Sequence, residues 1–122
     1  MNDMNNKAAI IDDEIDICFL LARILRQNDR QVSYAHSLHD GSTLLHDETP
    51  SLLFLDVNLP DGSGMEFLPR IREMYPQTKI IVISAFDSTK ERQAAISNGA
   101  DAFVGKPFTR QEINTIIHQV GA

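Results

Sequence analysis

Leu52-Leu53-Phe54-Leu55-Asp56-Val57-Asn58-Leu59-Pro60 is the stretch on which the fold turns. Four apolar residues run straight into Asp56, and Pro60-Asp61-Gly62 then reads as a turn. A short apolar run closed by turn residues is the pattern of a strand buried on both faces. A lone carboxylate inside such a strand would lose its hydration without compensation. The pattern therefore predicts that Asp56 ends the strand, over the crevice where open α/β sheets bind ligands.

On the amino side, Gln31 to Ala35 reads as a weak strand, and Ser37 and Asp40 as caps of a helix reaching about His46. Ala8 to Ile11 is a further apolar run that stops at Asp12-Asp13-Glu14. Ile17, Leu20, Leu21, Ile24 and Leu25 then repeat at helical spacing as one apolar stripe. Ile15, Cys18, Phe19 and Ala22 form a second stripe on the same helix, which needs a cover other than the sheet.

On the carboxyl side, Ser63 and Glu66, Ser88 and Glu91, and Thr109 and Glu112 have capping-box spacing. The helix after Ser63 contains Pro69, which predicts a kink or a late start. Lys79 to Ser84 and Ala102 to Val104 read as strands, and Gly99 as a left-handed stop between them. Ile113, Ile116, Ile117 and Val120 complete an amphipathic last helix. Five strand–helix alternations predict a three-layer (βα)5 doubly wound parallel sheet, flavodoxin-like, in the strand order 2-1-3-4-5. Residues 1–122 are read as a single domain with a core of about 7–120, and Met1 to Lys7 as a frayed polar start.

Composition narrows the function. The net charge of −6 and the lack of a Lys/Arg run argue against direct nucleic-acid binding. A single cysteine, Cys18, fits a reducing cytoplasm, and no apolar run approaches a membrane span. His36, His39, His46 and His118 do not cluster with a cysteine and read as surface residues.

The predicted topology brings the carboxyl ends of the strands to one edge. Asp12 and Asp13 end the first strand, Asp56 the third and Ser84 the fourth, while Lys106 follows the fifth. Carboxylates this close repel one another and call for a cation. Mg2+, a hard ion that prefers oxygen ligands, suits them, and Mn2+ would serve.

These residues make the sequence resemble the receiver domain of two-component response regulators, with their chemotaxis-regulator-like fold. The resemblance rests on Ile11-Asp12-Asp13-Glu14, Asp56 with Leu59-Pro60-Asp61-Gly62, Ser84-Ala85, Gly99-Ala100-Asp101-Ala102-Phe103 and Lys106-Pro107-Phe108. It implies that Asp56 accepts a phosphoryl group from the phosphohistidine of a sensor kinase or phosphotransfer protein. It implies that Asp13, Asp56 and the backbone carbonyl of Asn58 bind the metal directly, with Asp12 acting mainly through water. Lys106 would pair with Asp56 at rest and with the phosphoryl group afterwards, aimed by a cis bond before Pro107. Ser84 would turn toward the phosphoryl group, and Phe103 would swing behind it and change the face of the fourth helix, fifth strand and fifth helix. Such a domain is not a conventional enzyme, since it catalyses only its own phosphorylation and dephosphorylation. It would be a monomer, with dimerisation linked to phosphorylation in some members, and would act on a downstream protein or an attached output domain. The end of the chain just past the last helix suits a stand-alone regulator and a receiver cut from a longer protein equally.

Taken singly, Asp12 and Asp13 could cap the first helix, Ser84 could be an ordinary strand-end serine, and Phe103 a core residue. Asn58 and Phe86 occupy the two positions that tune phosphate lifetime in the family, and Gly105 departs from its usual polar or β-branched residue. Ile15 and Cys18 are the candidates for docking the phosphohistidine partner. The alternative reading is a phosphorylation-independent interaction module on the same fold. A phosphatase with Asp56 as nucleophile would need a second Asp where this chain has Asn58.

Overall fold

The computed structural model describes residues 5–122. Five parallel strands, β1 (Lys7–Ile11), β2 (Gln31–Ala35), β3 (Leu52–Asp56), β4 (Lys79–Ser84) and β5 (Ala102–Gly105), form one sheet in the order β2-β1-β3-β4-β5. The crossovers are α1 (Ile15–Gln27), α2 (Leu38–Glu48), α3 (Gly64–Met74) and α4 (Thr89–Ser97), and α5 (Arg110–Gln119) follows β5. The doubly wound order expected from the sequence is the order found.

The period-two character of a strand explains the two cores. Ala8, Ile10, Leu52, Phe54, Ile81, Ile83 and Val104 point to the side of α1 and α5. Their neighbours Ala9, Ile11, Leu53, Leu55, Ile80, Val82 and Phe103 point to the side of α2, α3 and α4. All five residues of β3 are buried, as a strand covered on both faces requires.

Register carries the site. Ile11 pairs with Ala35 and Leu55, Asp56 with Ile83, and Ser84 with Gly105, so β1, β3, β4 and β5 finish along one edge. A two-residue hairpin, Asn58–Leu59 against Gly62–Ser63, follows β3 and was not foreseen.

Several local expectations need correction. The buried residues of α1 are Cys18, Leu21, Ala22, Ile24 and Leu25, whereas Leu20 is 43% exposed. The helix is rotated from the first stripe because it covers the sheet and meets Ile113 and Ile117 of α5 in one core. Pro69 does not delay α3, which starts after its cap Ser63 and runs through the proline. Only Thr109 and Glu112 form a reciprocal capping box; Ser63 and Ser88 accept the amides of Glu66 and Glu91 without a returning glutamate bond. Of the expected frayed start, Met1 to Met4 lie outside the described residues. Asn5 and Asn6 are tied by side-chain bonds to the carbonyls of Thr49 and Asp29, and Lys7 opens β1.

Candidate functional site

The carboxylates meet over the ends of β1 and β3. Asp12 is fully buried and Asp56 is 4% exposed, while Asp13 and Glu14 face solvent. One carboxylate oxygen from each of Asp12, Asp13, Glu14 and Asp56 lies within 4.8 Å of the others. Asp12 Oδ1 accepts the Glu14 amide at 2.8 Å in a turn just ahead of α1, whose N-cap is Glu14 without a side-chain cap bond, so neither Asp12 nor Asp13 caps the helix. Asp12 Oδ2 lies 2.9 Å from Lys106 Nζ but is buried without a well-directed hydrogen bond, which leaves it free to accept. Oxygen-only donors, two buried and two open, with an unsatisfied buried acceptor, suit a hard divalent cation that keeps part of its water.

Lys106 enters from β5. Its amide donates to Ser84 O at 2.8 Å, and a cis bond joins it to Pro107, as expected. Its ammonium lies 2.6 Å from Glu14 Oε1, 2.9 Å from Asp12 Oδ2 and 3.6 Å from Asp56 Oδ1. The expected resting pair with Asp56 is thus the longest of three. Glu14, which the sequence reading left out, is the nearest partner; an acidic residue beginning α1 gave no sign that it would reach across to β5.

Burial and neighbouring charge together set the protonation tendencies. Burial, reinforced by Asp12, pushes the Asp56 carboxyl up to about 7, against the pull of Lys106 and the Asn58 amide. Burial likewise raises Asp12. For Lys106 burial works the other way, but its pairing with Glu14 and Asp12 outweighs it and holds the ammonium above its usual range.

The other candidates divide. Ser84 is fully buried at the end of β4, and its Oγ accepts the amide of Phe86 at 3.0 Å. Phe103 is 6% exposed, with the Arg92 guanidinium 5.0 Å above its ring. Asn58 is exposed in the hairpin, and Phe86 is 62% exposed. Ile15 is 55% exposed on α1, beside the acidic cluster in sequence. Cys18, offered with it as a docking residue, is instead fully buried. Its thiol lies 3.3 Å from the carbonyl of Asp12, and burial followed by the Asp12 charge pushes it up to about 12.

Two supporting residues escaped the sequence reading. His36 is half-buried rather than a surface residue, and its Nδ1 donates to the Asp12 carbonyl at 2.9 Å. Gly64 lets α3 start against β3: a Cβ there would collide with the carbonyl of Asp56. Neither a lone histidine nor a glycine in a helix start announces such a contact by its spacing.

The family model described as the response regulator receiver domain matches residues 8–118. The chain belongs to that family. Among solved structures, the BeF3-activated DrrB receiver domain is 29% identical, with a TM-score of 0.84 over 96% of this chain and 97% of that one. NtrX from Brucella abortus is 27% identical, with a TM-score of 0.88 over 96% of this chain but 27% of its own. A response regulator from Burkholderia pseudomallei with a phosphorylated aspartic acid, calcium ion and citrate shares the fold at 24% identity, with a TM-score of 0.85. The match covers 92% of this chain and 66% of that one. No helix among the described residues is long and apolar enough to cross a membrane.

Proposed function

We propose that this receiver accepts a phosphoryl group on Asp56 from a phosphohistidine of a sensor kinase or phosphotransfer protein. The observation that carries the reading is Asp56, buried at the end of β3 with Lys106 Nζ 3.6 Å from its Oδ1 and three further carboxylates around it. An Asp56 oxygen forms the new bond to phosphorus as the phosphorus–nitrogen bond breaks, and the electron pair leaves with the imidazole.

Phosphoryl transfer asks a protein mainly for positioning and charge stabilisation. Asp13, Asp56 and the Asn58 carbonyl would hold Mg2+ or Mn2+, with Asp12 acting through water; the ion supplies positive charge to the phosphoryl oxygens. Lys106 then leaves its carboxylate partners for one of those oxygens. The product carries roughly two negative charges. Ser84 gives up the Phe86 amide and turns its hydroxyl to the phosphoryl group, and the change passes through the β4–α4 loop to the α4–β5–α5 face, where Phe103 is already buried, to be read by a downstream protein or output domain. The site modifies only its own aspartate, and the kinase-fed role belongs in the cytoplasm.

The test is intact mass after incubation with acetyl phosphate and Mg2+. A phosphoadduct is expected, absent from Asp56→Asn. No adduct at any metal concentration would leave the phosphorylation-independent interaction module standing instead.

A further inference from the structure

The turn that carries Asp12, Asp13 and Glu14 is held by its backbone. Asp13 and Glu14 face solvent, so their carboxylates meet the site only as that backbone directs them. The Asp12 amide donates to the Ala35 carbonyl at 3.0 Å, which extends the β1–β2 ladder by one rung. β2 ends at Ala35 and Ser37 caps α2, so the chain turns away there, while the Asp12 carbonyl still needs a donor. Two side chains supply it. His36 Nδ1 donates at 2.9 Å, and the Cys18 thiol, fully buried on α1, lies at 3.3 Å. A carbonyl only accepts, so the imidazole proton sits on Nδ1. The ring is flanked by the Cys18 sulfur, 3.8 Å from Nδ1, and by the Tyr34 ring, 5.5 Å away between centroids. At the far end of the turn, Asp12 Oδ1 accepts the Glu14 amide and the Glu14 carbonyl accepts the Cys18 amide.

We propose that His36 is a positioning residue of the metal site. Its Nδ1–H fixes the plane of the Asp12–Asp13 peptide, and with it the direction from which Asp13 offers its carboxylate to a divalent cation. The proposal rests on the metal reading of the acidic cluster. The Asp12 carbonyl and the Asp13 amide belong to one planar unit, so a donor on the first orients the second. A thiol is a weak donor, which leaves the imidazole as the main restraint on that unit. Groups of this kind orient the ligands of a metal without touching it. A turn left to wander would have to be ordered when the cation binds, and that ordering would weaken binding.

The experiment exploits two amides. Asparagine at position 36 places an N–H where the imidazole has Nδ1, whereas glutamine places it nearer to Nε2, out of line with the carbonyl. Wild type, His36→Asn, His36→Gln and Asp13→Asn are titrated with Mn2+ at pH 8, with free Mn2+ read by electron paramagnetic resonance, and each is unfolded in urea with chelator. His36→Gln is expected to bind Mn2+ about tenfold more weakly than wild type, the lower end of the loss for an outer partner of a metal ligand. His36→Asn should stay within about threefold of wild type, because it keeps the donor. A role in stability alone would shift the urea midpoints and leave the Mn2+ affinity of the folded variants unchanged. Equal affinity in wild type and His36→Gln would therefore overturn the proposal. So would a loss in His36→Asn as large as that in His36→Gln. If folded wild type bound no Mn2+, or Asp13→Asn bound it as wild type does, the metal reading would fall and the role of His36 with it.

Discussion

Lys106 Nζ lies 2.9 Å from Asp12 Oδ2, closer than the 3.6 Å to Asp56 Oδ1. At rest the lysine compensates the buried carboxylate of the first strand more than that of the third. Removing one partner of a buried ion pair strands the other, at about 3–5 kcal/mol. Lys106→Met is thus expected to lower stability by that order at pH 8 in the presence of a chelator, measured by urea unfolding. With the proposed metal site, Mg2+ should return part of the loss, because a ligand that binds only the folded chain stabilises it. An unchanged urea midpoint would mean that the lysine is not the compensating charge.

Asp56 gives a pH dependence of definite sign. The unfolded carboxyl titrates near 3.9, whereas burial and Asp12 place the folded one at about 7. The metal-free folded chain therefore keeps a proton that the unfolded chain has released. This contribution is fully present below about pH 4 and is lost as pH rises through about 7. Asp56→Asn should flatten that part of the profile and, with chelator at pH 8, be more stable than wild type by roughly 1–3 kcal/mol. With Mg2+ present the wild-type loss should largely disappear, because the cation takes the place of the proton. Parallel pH profiles for the two proteins would refute this account.

Arg72 supports the sheet at the end away from the site. From α3 its guanidinium donates to the carbonyls of Gly99 at 2.9 Å, Pro76 at 3.1 Å and Thr78 at 2.9 Å. It also meets Asp101 Oδ2 at 2.8 Å, the oxygen that accepts the Ile80 amide. Arg72→Ala should cost about 2–3 kcal/mol, as for several charge-assisted bonds partly open to water. Arg72→Lys should recover less than half, since one ammonium cannot reproduce the fork. Both should accept phosphate from acetyl phosphate at the wild-type rate at temperatures where they stay folded, as followed by intact mass.

These results also show where sequence patterns carry information. β2 and β4 occupy the bounds expected of them, and β3 ends on Asp56, because period, length and turn residues are local properties. The acidic edge was legible for a related reason: parallel strands put all their carboxyl ends together, so Asp12, Asp13, Asp56, Ser84 and Lys106 needed only the topology. Partner choice within that edge was not legible. Whether Lys106 prefers Asp12, Glu14 or Asp56 depends on ångström-scale reach across the sheet. The full burial of Cys18, which read as a half-buried thiol and as a docking candidate, was not legible because α1 offers two apolar stripes, and its rotation is decided by α5, about 90 residues later in the chain. Gly105 read only as a departure from the family's usual residue; the reason for it emerges from the Asp87 side chain that lies on it.

The α1 surface yields the last prediction. Ile15 and Phe19 lie one turn apart and are 55% and 58% exposed, and Tyr34 of β2 packs edge-on against Phe19 at 6.2 Å. A charged residue at position 15 would meet any apolar partner surface without disturbing the receiver's own core. Ile15→Asp is expected to slow phosphotransfer from the cognate phosphohistidine protein at least tenfold, the equivalent of about 1.4 kcal/mol. Its rate with acetyl phosphate should be unchanged, because that small donor needs no docking surface. Cys18→Ala should do the reverse of a docking mutation: it costs about 1 kcal/mol of stability through lost burial and leaves the ratio of the two phosphorylation rates as in wild type. Normal transfer from the protein donor to Ile15→Asp would remove α1 from the interface.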